Sequence, residues 1–219
     1  MSLTLLFFDE LKGFAKSKVM IILWVGLPLL AFLIHFLQPD LEGFPISFLV
    51  GILISSIGGT LSSIMLSTSI VSEKNRHVYE LFLVRPVKRG SLLLAKFLAV
   101  YLCLIIAVII SLIVGLLIDA FTIGLNENFL NSTLDSLIIS ISSMAITCSI
   151  GMFFGVVVSS VPVAAILSVY LGSQLSAIII LPTFFIASLN PVTFAITLGI
   201  SVTTIIMGIN LFLFSRQQF

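Results

Sequence analysis

Residues 91–120 read SLLLAKFLAVYLCLIIAVIISLIVGLLIDA and hold two charges, Lys96 near one end and Asp119 near the other, with none between them. A helix needs about 20 apolar residues to cross a hydrocarbon core of roughly 30 Å, and this run is long enough. Working outward from it, cuts at clusters of charge, Pro and Asn divide the chain into six spans, about 19–37, 46–71, 91–118, 134–159, 163–187 and 192–214. The composition agrees. Of 219 residues 59% are hydrophobic and 9% charged, with a mean hydropathy of +1.31. A soluble domain keeps about a quarter of its residues charged, so the expected solvent is itself apolar. The expected fold is all-α, a polytopic membrane protein of six transmembrane helices (19–219) preceded by an N-terminal interfacial segment (1–18).

That segment is not a signal peptide, because Asp9, Glu10, Lys12, Lys16 and Lys18 interrupt any apolar core of the required length. Leu3, Phe7, Leu11 and Phe14 recur at helical spacing while Asp9, Lys12 and Lys16 share another face. The pattern predicts an amphipathic helix along the membrane surface, the alternative being a frayed tail.

All ten basic residues lie before span one (Lys12, Lys16, Lys18), in or beside the link between spans two and three (Lys74, Arg76, Arg85, Lys88, Arg89, Lys96) or after span six (Arg216). Asp40, Glu42, Asp119, Glu127 and Asp135 occupy the links after spans one and three. Lys and Arg favour cytoplasmic loops, so both termini and the 72–90 link are expected in the cytoplasm of a cell whose plasma membrane the chain spans.

The interior of the spans is expected to be free of ionisable groups at mid-depth. Such a group costs about 2.5–3.5 kcal/mol at least, and gradient-driven transporters retain it for a task. His35, Lys96 and Asp119 sit near span ends, where the expectation is that they reach the interface as anchors. Small residues fill the spans instead. Ser143, Thr147, Gly151, Gly155 and Ser159 recur every four residues, which permits close helix approach, either as internal packing or as a subunit seam. A second cluster, Ser55, Ser56, Gly58, Gly59, Ser62 and Ser63, allows packing or a polar-tolerant pathway. No catalytic, cofactor or metal site is expected. His35 and His77 fall on opposite sides of the bilayer, Cys103 and Cys148 lie in apolar runs, and no G-x-x-x-x-G-K-[ST] phosphate loop occurs. A nucleic-acid partner is not expected either.

The link VSEKNRHVYELFLVRPVKRGSLLLAK, residues 71–96, holds eight charges that cannot enter lipid. His77 to Val84 reads as a short helix showing Tyr79, Phe82 and Leu83 and closed by Pro86, with Gly90 and Ser91 as the turn and N-cap of span three. Exposed aromatics amid charge suit a docking element; a solvated topogenic loop is the alternative.

At these residues the chain resembles the membrane permease subunits of type-2 ABC (ATP-binding cassette) exporters. In that family the link after span two carries an acid, a Gly-Thr pair before a second acid, then Leu, Pro and basic residues. Glu73, Glu80, Leu81 or Leu83, Pro86, Val87, Lys88 and Arg89 stand in that order here, while His77, Val78 and Tyr79 replace the Gly-Thr stretch. The segment LPTFFIASLNPVTF, 181–194, is similar to the Pro-rich outer segment between the last two spans of such permeases, with Pro182, Asn190 and Pro191 carrying the likeness. The resemblance implies a transport subunit with no ATPase site of its own. It pairs with a second permease copy or a sister permease, and a separate ABC ATPase using ATP and Mg docks on it. Glu73, Arg76, Tyr79, Glu80, Phe82, Leu83, Arg85, Pro86, Lys88 and Arg89 would form the coupling element. A stand-alone secondary carrier or channel is the competing reading. The outer Pro182 and Asn190–Pro191 are expected to break the helix into a kinked or re-entrant segment.

Overall fold

The computed structural model describes residues 3–37, 46–76, 89–122, 127–185 and 190–216. Among these, seven helices follow one another: α1 (Leu3–Ala15), α2 (Lys18–Leu37), α3 (Ile46–Asn75), α4 (Arg89–Thr122), α5 (Glu127–Val157), α6 (Val161–Phe185) and α7 (Pro191–Arg216). Six, α2 to α7, are long and apolar enough to cross a membrane. The protein is therefore an all-α, polytopic membrane protein, and no strand occurs among the described residues.

α3 and α5 form the axis of the bundle and are its most closely packed pair, with α2 and α4 on one flank and α6 and α7 on the other. Side-chain size sets this order. At the crossing, a Cβ on Gly151 of α5 would strike the backbone of Ser63 on α3, one on Gly155 would come 2.9 Å from the Ile70 Cβ, and one on Gly59 would come 2.7 Å from Thr147 Oγ1. Small residues let the backbones meet, and van der Waals contact replaces the hydrophobic drive that lipid abolishes. Two hydroxyls of the seam bond back to their own helices, Ser62 to the Gly59 carbonyl at 2.7 Å and Thr147 to the Met144 carbonyl at 3.0 Å. Their polar groups are thus satisfied without water.

The outer helices show the complementary pattern. α2 buries Met20, Leu23, Leu27 and Ala31 on one stripe and exposes Ile22, Val25, Leu29 and Phe36 on the other. α7 buries Ala195, Gly199, Met207, Asn210 and Phe214 and exposes Ile200, Ile205 and Phe212. Exposed aliphatic faces on long helices are what lipid contact requires. α2 is pinned to α4 by the Trp24 indole, which donates to the Cys103 carbonyl at 3.2 Å.

Several expectations shift. α4 opens at Arg89, so Gly90 and Ser91 lie inside its first turn rather than forming the turn and cap before it. α5 ends at Val157, so Ser159 falls beyond the helix on which spacing had placed it. The cause is the start of α6: Ser160 accepts the Ala164 amide at 3.0 Å, and Pro162 sits in the first turn, where its missing N–H is harmless. Pro182 does not interrupt helix, for α6 continues to Phe185. Pro182 lacks the amide that would bond the Ile178 carbonyl, and the loss of that single bond is tolerated with the helix continuing for three further residues. Asn190–Pro191 does mark a boundary, with the Asn190 carbonyl accepting the Phe194 amide at 3.1 Å and Pro191 in the first position of α7.

Candidate functional site

The helix ends bearing the basic residues collect at one end of the bundle, and the polar chemistry of the protein is concentrated there. Lys96, about two turns into α4, is 1% exposed. Its ammonium donates to Glu73 Oε1 of α3 at 2.6 Å and to Glu10 Oε1 of α1 at 2.9 Å, and it stands 5.5 Å from the centre of the Phe14 ring. The Ser69 hydroxyl adds a bond to the same Glu73 oxygen at 3.2 Å. An ammonium deep in a bundle is tolerated when carboxylates surround it, which overturns the expectation that Lys96 is an interfacial anchor. Asp119 is also buried, at 3% exposure, and engaged with a partner, so it too departs from that expectation. His35 is half-buried, with its Nδ1 enclosed.

The burial pattern of α1 explains how Glu10 arrives. Leu6 and Phe14 are buried and Glu10 lies between them at i+4 on the same stripe, while Phe7 and Leu11 are half-buried. Leu5 and Phe8 are exposed, so the helix carries a second apolar face in addition to the one spacing had picked out. Burial raises the Glu10 pKa above the ordinary carboxylate value and outweighs Lys96, which pulls the other way; Glu73 and Asp9 add to the rise. Beside this cluster opens a groove of about 520 Å³, bordered by Glu10, Ser17, Thr68, Ser72, Glu73 and Val161.

The last turn of α3 is tied in a second direction. Lys74 Nζ donates to the Val156 carbonyl at 3.3 Å and Asn75 Nδ2 to the Ser159 carbonyl at 3.2 Å, capping the C-terminus of α5. The Val156 carbonyl belongs to the last turn of α5, at the negative end of its dipole, so a cation is favoured there, while the Ser159 carbonyl lies just past the helix. The segment from which the 77–88 link departs is thereby held to α1, α4 and α5 at once.

Comparison with known protein families and with curated proteins gives no match to this chain. The site must therefore be read from its own geometry.

Of the residues expected to form the coupling element, Glu73 and Arg76 are described, Glu73 in the ion cluster and Arg76 exposed just past α3 with its amide bonded to the Ser72 carbonyl at 3.1 Å. Arg89 opens α4. Tyr79, Glu80, Phe82, Leu83, Arg85, Pro86 and Lys88, and the short helix expected at 77–84, lie outside the described residues. Within the stripe on α5, Thr147, Gly151 and Gly155 face α3, and Ser143 is fully buried.

Spacing missed four features. Glu10 and Lys96 meet across 86 positions of sequence, which no local pattern reports, although a lone Lys inside an apolar run was the available signal. Ser63 and Ser67 of α3 reach Ser168 of α6, through its carbonyl at 3.3 Å and its hydroxyl at 3.1 Å. Asn210 of α7, fully buried, donates to the Ser149 carbonyl at 3.1 Å. Finally, a cleft of about 390 Å³ lies between α4, α5 and α7, lined by Phe97, Tyr101, Ser142, Ile200 and Thr203.

Proposed function

We propose that the protein is the membrane permease subunit of a type-2 ABC exporter, with both termini and the 77–88 link in the cytoplasm, working beside a second permease copy or sister permease. A separate ATPase subunit docks on the link and supplies the ATP and Mg chemistry. The observation that carries this reading is the anchorage of the last turn of α3: Glu73 through Lys96 to Glu10, and Lys74 and Asn75 to the end of α5. A load applied at the link would act on four helices together, and packed helices respond to a local push by rigid displacement rather than by gradual deformation. The basic residues gathered at that end support the same orientation.

Docking by shape predicts that aromatic anchors matter more than peripheral charge. Truncating a buried interface aromatic commonly costs about 2 kcal/mol, roughly thirtyfold in affinity, whereas rim charges act mainly on salt dependence. Phe82→Ala should lose most of the ATPase that co-purifies in detergent, and Lys88→Ala should retain it, each compared at equal membrane insertion. Equal retention by wild type, Phe82→Ala and a Glu80→Ala, Phe82→Ala double variant would return the link to a topogenic loop and favour the stand-alone carrier.

A further inference from the structure

Glu10 and Glu73 come from different helices to a single ammonium, at 2.9 and 2.6 Å, and one ammonium balances only one carboxylate. The groups facing Glu10 leave the excess in place. α4 contributes Lys96, α3 contributes Glu73, and α1 itself adds Asp9, a further negative charge. The groove alongside brings the hydroxyls of Ser17 at the α1–α2 junction, of Thr68, Ser69 and Ser72 on α3, and the apolar Val161 at the start of α6, but no second cation among the described residues. Lys12 and Lys16 are exposed. A surplus negative charge on carboxylates that are about a quarter exposed around a buried ammonium is relieved by taking up a cation, and a proton needs no room.

We propose that Glu10 is a proton-binding site that latches α1 to the bundle: with its carboxyl protonated the helix is held against α3 and α4, and ionisation loosens it. A protonated Glu10 still meets the cluster, now as a neutral group beside a balanced Lys96–Glu73 pair. When it ionises, the triad and Asp9 repel, and the exposed apolar face of Leu5 and Phe8 offers α1 an alternative partner in the lipid surface. The direction follows from linkage. The docked carboxyl titrates above the value it has when α1 is undocked and hydrated, so its contribution to docking is complete below the undocked pKa and is lost as pH rises through the docked one. Acid therefore tightens the latch. An ordinary surface ion pair, whose carboxylate pKa is depressed, does the opposite. The latch adds to the transport reading a sensitivity to protons on the side of the membrane where α1 lies, and it holds whether or not an ATPase is the partner.

The test is a nitroxide attached to Gly13→Cys, where an added Cβ meets nothing within 4 Å, in the full chain with Cys103→Ala and Cys148→Ala. Spectra in detergent separate an immobile, docked component from a mobile one. In the parent chain the docked-to-mobile ratio should fall at least about threefold between about pH 5 and pH 8, the response to a modest elevation of one carboxyl. Glu10→Gln, which keeps shape and hydrogen bonding but leaves the triad neutral, should stay docked and flat across the range. Glu73→Gln should also lose the alkaline loosening, because Lys96 then balances Glu10 alone. A flat parent profile, loosening on the acid side, or a Glu10→Gln profile matching the parent would each overturn the proposal.

Discussion

Glycine 151 shows how strongly one residue can determine the bundle. Its missing side chain lets α5 lie on the backbone of Ser63, and a Cβ there has only rigid main chain to push against. Overpacking of this kind costs about 1–3 kcal/mol when side chains can give, and backbone gives less readily. Gly151→Ala should therefore lower the midpoint of denaturant-induced unfolding in detergent, with a loss of about 2 kcal/mol or more. Gly208→Ala, on α7 where a Cβ meets nothing within 4 Å, should leave the midpoint unchanged or slightly raised. If both behave alike, the close approach of α3 and α5 is not what stabilises the fold. The spacing of Thr147, Gly151 and Gly155 was legible as a close-packing stripe; that it faces α3 was not, because each helix of a bundle has several partners open to it.

At the scale of elements, the last turn of α3 does the work of a clamp. Lys74 donates to the Val156 carbonyl in the last turn of α5, where the cation also meets the negative end of the helix dipole, and Asn75 donates to the Ser159 carbonyl just beyond it. Lys74→Met should destabilise the protein by about 0.3–1 kcal/mol, read in the same unfolding experiment, while Lys74→Arg should recover most of it. A Lys74→Met protein with wild-type stability would mean that water serves these carbonyls equally well. The two proline signals divide at this scale. Pro191 was readable as a boundary because the preceding Asn and the fixed φ of proline suit a helix start. Pro182 misled, since the proline removes one backbone bond, to the Ile178 carbonyl, and a helix can run on past a single missing bond.

For the molecule as a whole, the topology carries a direct test. With six crossings, the ends of α2 and α4 are expected on the side opposite to the end of α3. Cys in place of Asp40 or Glu127 should react with an impermeant thiol reagent added outside intact cells, and Cys in place of the exposed Asn75 should react only after permeabilisation. Labelling of Asn75→Cys in intact cells would reverse the orientation and place the link away from cytoplasmic ATP. This experiment precedes the ATPase and proton tests, for it establishes which side α1 and the link sense.

The sequence by itself determined that the chain crosses a membrane, how many helices do so and roughly where they lie, although α5 starts at Glu127, seven residues before the expected 134. Hydrophobic length is a local property and bilayer thickness is the same for every helix. It also determined that charge gathers at one end, because position along an alternating chain assigns each link to a side. Tertiary structure alone decided which helices touch, that α3 and α5 form the axis, and that Lys96 is a buried hub instead of an interfacial anchor. Apolar faces look alike to one another in lipid, so partners are chosen by the fit of small residues and by polar groups that must find each other. The ion cluster is the extreme case. Glu10 and Glu73 are unremarkable in their own segments, and with Lys96 their charges acquire meaning only when three helices bring them within 3 Å around a buried ammonium.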